Sequence, residues 1–208
     1  MVEGAASPTE SERRIEKALD VLLGLSSLSW AVLGFLHQEG PPLTARVGAS
    51  LVNATVGVLF LVRAPVRVAT SNRELLRALP SALAGLVAWR ISGSDWPEAI
   101  AIPFLCVAVL VALTLAFLGR SFAIFASLRT VRDRGPYRVV RHPAYALEVV
   151  LVALTGAVYA WWAGLALALI TALALVPRIE DEERVLGEDP RYAVYRTQVP
   201  YRLIPGLY

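Results

Sequence analysis

The sequence predicts an all-α fold: a polytopic integral-membrane helical bundle of about six transmembrane helices, or five if the last apolar stretch is a single helix. Three observations predict it. Hydrophobic residues fill 56% of the 208 positions and charged residues only 18%; soluble domains run to roughly half apolar and about a quarter charged. The mean hydropathy is +0.57, and the apolar residues come in long runs. The charges lie between those runs, mostly on one side of them. Such a composition excludes disorder, nucleic-acid binding as a main task, and a disulfide scaffold. The one cysteine, Cys106, sits inside the run FLCVAVL and reads as a small hydrophobe.

Residues 1–17 (MVEGAASPTESERRIEK) are polar and read as a cytoplasmic N-terminal tail. The apolar run behind them is long and lacks the exit of a cleavable signal. A bilayer-spanning helix takes about 20 apolar residues at ~1.5 Å rise each. Residues 18–36 and 99–118 meet this plainly. Residues 47–62 are fewer but are flanked by Arg46 and Arg63, which can snorkel. Residues 75–91 are a weaker span, since they hold Arg77, Pro80 and Arg90. The stretch 146–176 would be ~46 Å long as one helix, against a hydrocarbon core of ~30 Å. Two helices with a tight turn near 159–164 fit better. The chain thus divides into the tail 1–17, four spans within 18–118, and a region 119–208 of inner loop, helical hairpin and C-terminal tail.

The charges orient the bundle. Three basic residues fall in the N-terminal tail, four from Arg63 to Arg77, six from Arg120 to Arg141 and five from Arg178 to Arg202. With six spans, 18 of the 20 basic residues share one face, and the positive-inside rule places that face and both termini in the cytoplasm. One long last helix would move five arginines outside. Trp30, Trp89, Trp96, Trp161 and Trp162 all fall in the outer half, where an aromatic belt is expected.

The chemistry concentrates on the inner side, in three constellations. The first is GPYRVVRHPAY at 135–145. Pro143 before an apolar run reads as the first residue of a helix, with His142 at its N-cap. The unpaired amides of a helix start, with Arg138 and Arg141 beside them, suit a carboxylate or phosphate. The bland alternative is an anchor to lipid phosphates. The second is RIEDEERVLG at 178–187. Arg178/Glu182 and Glu180/Arg184 can pair at i,i+4 on a solvated face. Yet Val176, Ile179 and Leu186 form an apolar stripe whose missing member is Glu182 or Glu183. An acid where burial is expected needs a partner, such as an arginine of the inner loop or a bound cation. The third is YAVYRTQVPYRLIPGLY at 192–208, an aromatic tail that is either an interfacial anchor or a lid over the other two. Glu148, one turn inside the fifth span, is a functional candidate because ionisable groups in membranes are costly. Two separated histidines and one cysteine suggest no metal site.

Taken together and in this order, the three segments resemble the isoprenylcysteine carboxyl methyltransferase family and its phospholipid methyltransferase relatives. Gly119-Arg120-Ser121-Phe122 is similar to the bacterial branch, which implies a bacterial inner membrane. The resemblance covers about the last 90 residues. It implies S-adenosylmethionine as methyl donor, bound in a cytoplasmic pocket of the C-terminal half. It implies that Arg141, His142 and Pro143 lie near the donor's carboxylate. Tyr137 and Tyr145 would bond the donor or face its cation, Glu182 or Glu183 would take its ribose hydroxyls or ammonium, and Leu203 and Ile204 would hold its adenine. A carboxylate acceptor needs no base. An amine or thiol acceptor does, and His142, Glu148 and Glu183 are then the catalytic candidates. The acceptor is lipophilic or small: an isoprenylcysteine-type carboxylate, a lipid amine or a thiol. Membrane lipids are the expected surroundings, without metal or nucleic acid. Two other classes share these features. An NADPH-dependent membrane reductase of similar architecture could use the same arginines, and a transporter or non-catalytic scaffold could use the same spans. Against transport stand the lack of an internal repeat and the scarcity of mid-membrane charge.

Overall fold

The computed structural model describes residues 9–36, 40–63, 72–122 and 133–208. Arg67, Arg129 and Arg132 of the expected inner face lie outside the described residues. Six long helices make the bundle: α1 (Glu10–Leu36), α2 (Leu43–Val62), α3 (Asn72–Ser92), α4 (Glu98–Leu118), α5 (Pro143–Tyr159) and α6 (Trp161–Leu186). A short α7 (Pro190–Gln198) follows. Four of them, α1, α2, α4 and α6, are long and apolar enough to cross a bilayer, whereas α5 has 17 residues and the apolar part of α3 is Leu83–Ser92. In space the order runs α1, α2, α4, α5, with α3 and α6 closing against α5.

α1 starts eight residues before the apolar run. The charged segment 10–17 continues the helix, and Arg14 pairs with Glu10 at 2.6 Å, one turn back. Residues 10–17 of the polar tail are therefore helical. Farther along, α1 packs on α2 at a close crossing: a Cβ on Gly24 would lie 3.1 Å from the Gly57 carbonyl, and one on Gly57 2.9 Å from that of Gly24. Small residues permit such approach in a membrane. The rest of α1 faces outward, with Leu22 64% and Trp30 67% exposed, as lipid-facing side chains would be.

The expected hairpin is present, and its turn is a single residue. Ala160 ends α5 and starts α6 in an extended conformation. A Cβ on Gly164 would lie 2.5 Å from the Ala153 carbonyl, so the two helices touch at backbone distance. Polar groups along the helices are satisfied locally. Thr55, Thr155 and Thr171 each donate to the carbonyl four residues back, as hydroxyls must where water is absent.

The core is aromatic at both ends. Trp96, expected in the interfacial belt, is instead buried against Phe104, ring centroids 5.0 Å apart. Its indole N–H donates to the Gly93 carbonyl at 3.2 Å, which removes the cost of burying it. Trp30, Tyr159, Trp161 and Trp162 remain exposed near the helix ends, as a belt requires. At the other end Phe122 meets Phe60 edge-on at 5.5 Å, and Arg63 lies over Phe60 while bonding Asp20 of α1. That end also gathers the start of α5, the end of α6 and the tail.

Candidate functional site

The site is built where α5 begins. Gly135 adopts φ +59 and lies against Phe117, where a Cβ would be 2.7 Å from the ring. A 3-10 turn, Gly135–Arg138, then buries Tyr137. Pro143 is the first residue of α5 and His142 its N-cap, as the sequence predicts; no side chain caps this end. The amides of Ala144 and Tyr145 thus have no partner within the helix.

Glu183 is the missing member of the apolar stripe on α6. Ile179 is fully buried and Glu183 is 5% exposed. Both of its oxygens are engaged. Oε1 accepts from Arg141 Nε at 2.7 Å and lies 3.2 Å from His142 Nε2. Oε2 accepts from Arg202 Nε at 3.1 Å and Nη2 at 2.9 Å. A carboxylate can only accept, so His142 must carry a proton on Nε2 to bond it. The partner foreseen for a buried acid is thus an inner-loop arginine, joined by one from the tail. Arg184 bonds the buried Asp181, three residues back.

Glu182 has a different setting. Its side chain is 30% exposed, and among the described residues its close hydrogen bond is the one that Oε2 accepts from the Tyr145 hydroxyl at 2.8 Å. His142 stacks on Tyr145, centroids 5.5 Å apart and planes 7° from parallel. Arg178 Cζ lies 4.8 Å from the centre of the Tyr145 ring, a cation–π distance. Glu148, one turn further along α5, is half-buried and within electrostatic reach of Tyr145 and Arg178. A continuous polar path therefore runs from Glu148 through Arg178, Tyr145, Glu182 and His142 to Glu183.

The tail closes over this group. The Arg141 and His142 amides donate to the Tyr201 and Arg202 carbonyls at 2.9 and 2.8 Å. Arg141 Nη1 donates to the Val199 and Pro200 carbonyls at 2.8 and 2.6 Å. Tyr195 of α7 donates to the Tyr137 carbonyl at 2.7 Å. Beyond Arg202, Leu203 and Ile204 donate their amides to the Tyr208 carbonyl at 2.7 and 2.9 Å. Leu203 is half-buried and Ile204 is 51% exposed.

Among the described residues, the buried Tyr137 hydroxyl has no hydrogen-bond partner, whereas the buried Tyr192 hydroxyl lies within hydrogen-bonding reach of Glu183. Leaving such a group unsatisfied costs about 1–3 kcal/mol. Burial raises the Tyr137 pKa, and nearby Glu182 and Tyr195 add to it. Burial likewise raises Tyr192, with Glu183 and Glu182 adding to it and Arg141 opposing. Both phenols lie within reach of the Glu182 charge.

The sequence segments 135–145, 178–187 and 192–202 thus meet in one cluster, and Glu148 joins it from the membrane side. Sequence reasoning did not single out Arg202 or Tyr192. Arg202 carried a signal, as a second arginine near a buried acid needs a partner. Tyr192 carried none beyond its place in an aromatic tail. Among the described residues, no group of three or more His, Cys, Asp or Glu could hold a metal.

A helical bundle with outward apolar faces and a buried charged cluster at one end is a polytopic membrane protein with a site at that end. Residues 99–188 match the model of the Isoprenylcysteine carboxyl methyltransferase (ICMT) family. The matched stretch, 90 of the 208 residues, runs from α4 to just past α6. It includes Arg141, His142, Glu182 and Glu183 and ends before Tyr192 and Arg202. No curated protein matches the chain.

Proposed function

We propose that the protein is an integral-membrane, S-adenosylmethionine-dependent methyltransferase acting on a lipophilic or small acceptor, with the site on the cytoplasmic face of a bacterial inner membrane. The observation that carries the reading is the cluster itself. One carboxylate, Glu183, ties together a helix start, a helix end and a folded-back tail, and the buried Tyr137 hydroxyl, without a partner among the described residues, belongs to the same cluster. Those residues fit the donor chemically: it presents a carboxylate, an ammonium, hydroxyls and a base, each able to take up an unsatisfied polar group. The donor supplies an activated methyl group, so the protein's part is binding, alignment and exclusion of water.

The roles divide by what is already engaged. Arg141, His142 and Glu183 hold the frame, since their hydrogen bonds fasten the tail and the start of α5 together. Glu182 keeps one oxygen for the donor's ammonium or ribose, and the Tyr145 hydroxyl orients it. The first amides of α5, next to Pro143, and the Arg141 charge favour the carboxylate. Tyr137 supplies a hydroxyl, and Leu203 and Ile204 offer apolar surface to the adenine. Glu148 sits toward the membrane, where an amphipathic acceptor arrives sideways from lipid. For an amine or thiol acceptor Glu148 is the better-placed base, because Glu183 already accepts from Arg141, His142 and, twice, Arg202.

Calorimetric titration of the detergent-solubilised protein with S-adenosylmethionine tests this, with NADPH as the comparison ligand. Saturable binding of the first, weakened about tenfold or more in Glu182→Gln, is expected. Binding of NADPH alone would move the same pocket to the reductase class.

A further inference from the structure

Asp20 of α1 and Arg63, the C-cap of α2, stand outside the stretch that matches the family model. They form an ion pair whose side chains are 13% and 7% exposed. Arg63 thus turns inward, where a flanking arginine was expected to snorkel toward water. Apolar residues of similar volume would hold two helices together as well, because desolvation offsets the attraction of a buried pair. The surroundings of the pair give it another role. The Arg63 guanidinium also lies over the Phe60 ring, 4.9 Å from its centre. Phe60 meets Phe122 edge-on at 5.5 Å, and both rings are buried. Ala144, Leu147 and Leu151 of α5 pack against the cluster to which these rings belong. The position after Ala144 is Tyr145, which bonds Glu182, and His142 at the N-cap of α5 reaches Glu183. A row of contacts therefore leads from Asp20 to the helix whose first turn carries the site.

We propose that Asp20 and Arg63 are positioning residues: through Phe60 and Phe122 they set where α5 starts, and hence how tightly the site binds the methyl donor. The inference rests on the methyltransferase reading for the identity of that donor, and it gives α1 and α2 a part in the reaction. Directionality is what the charges add. An aliphatic contact tolerates sliding and rotation. A planar guanidinium fixed by a carboxylate holds the ring beneath it in one place. Phe60 passes that constraint on, since edge-to-face rings have a preferred geometry. The start of α5 is then fixed before the donor arrives, which lowers the ordering cost of binding.

The double variant Asp20→Leu/Arg63→Leu tests the proposal in the full-length, detergent-solubilised chain. It removes both charges at once, so its melting temperature should stay within a few degrees of the parent. Its dissociation constant for S-adenosylmethionine should nevertheless rise about threefold to tenfold. Hydrogen exchange, read without ligand, should speed up over residues 146–151 of α5 and stay as in the parent over 161–175 of α6. Phe122→Leu, which touches neither charge, should weaken donor binding by itself but add little in the double variant, because both changes cut the same row of contacts. Donor binding and exchange like the parent's in the double variant would overturn the proposal, leaving the pair as a contact between α1 and α2 alone. Fully additive losses would overturn it too. Should the double variant not fold, Phe122→Leu decides in its place, and equal binding and exchange there count against the proposal. If the parent does not bind the donor, the methyltransferase reading falls, while the exchange measurement still decides whether the pair positions α5.

Discussion

Arg202 grips Glu183 with two nitrogens, Nε at 3.1 Å and Nη2 at 2.9 Å, and so joins the C-terminal tail to the end of α6. The pairing is a fork rather than a point contact. Glu183 shields it, with its carboxylate 5% exposed, whereas the Arg202 side chain is 26% exposed. The carboxylate holds the Arg202 pKa above its ordinary value chiefly through the hydrogen bond.

Loss of this fork should loosen the tail. Arg202→Ala is expected to cost about 1.5–3 kcal/mol, the range for hydrogen bonds to charged groups. Limited proteolysis should then cut near residues 199–204 well before the bundle. Arg202→Lys keeps the charge but not the planar fork and should restore only part of the protection. Equal resistance in all three proteins would mean that the Arg141 contacts alone hold the tail.

The adjacent glutamates should separate in kind. Glu183→Gln leaves Arg141 buried beside a neutral group, and breaking a buried pair from one side costs about 3–5 kcal/mol. Its effect should appear first as a lower melting temperature. Glu182→Gln keeps a side-chain oxygen for Tyr145 and should melt within a few degrees of the parent, while its affinity for S-adenosylmethionine falls. The pair of melting curves and titrations decides the matter. A reversal of the two patterns would exchange the roles assigned here.

Much of this was legible before any coordinates. Length and charge together separated α5 from α6, because one helix over 146–176 overshoots a bilayer and would carry five arginines to the outer side. The stripe through Ile179 and Leu186 pointed to a buried acid, and Pro143 marked the helix start. Which glutamate is buried was not legible, since 182 and 183 both lie near that face and the choice depends on where α5 stands. The early start of α1 was hidden because a charged, i,i+4-paired turn carries no apolar signal. Trp96 misled for the opposite reason: its position near a helix end looks interfacial, and only the Gly93 carbonyl makes burial affordable. Arg202 and Tyr192 act across long separations in sequence. No local period encodes a tail that folds back on residue 141.

The phenols give the protein an alkaline limit. Burial pushes Tyr195 up to about 12 from 10.0, against the opposing Arg141 charge, and Tyr137 and Tyr192 are raised as well. A raised pKa means that the folded state holds the proton more tightly. The contribution is complete below about pH 10 and is lost as pH climbs through about 12. Tyrosinate absorbance should show a late group of phenols ionising together with loss of the tail's protection. Ionisation of all seven tyrosines in one step near pH 10, with the protein still folded, would contradict the burial described.

The hairpin turn should control the site from its far end. Gly164 lies about 27 Å from Glu182 along α6, at ~1.5 Å per residue. It fixes how closely α6 approaches α5, since a Cβ there would be 2.5 Å from the Ala153 carbonyl. Gly164→Ala must push the helices apart, at a cost of about 1–3 kcal/mol for overpacking. The same displacement strains the Tyr145–Glu182 bond and the seat of Arg178 on Tyr145. Donor affinity should therefore fall with no change in any residue of the site. Gly34→Ala is the comparison. Its Cβ would meet nothing nearer than Ser50 Oγ at 3.8 Å, so a gain of about 0.5–1 kcal/mol in helix stability is expected. Should Gly164→Ala match Gly34→Ala in both melting and binding, close contact at Ala153 is not what sets the distance between α5 and α6.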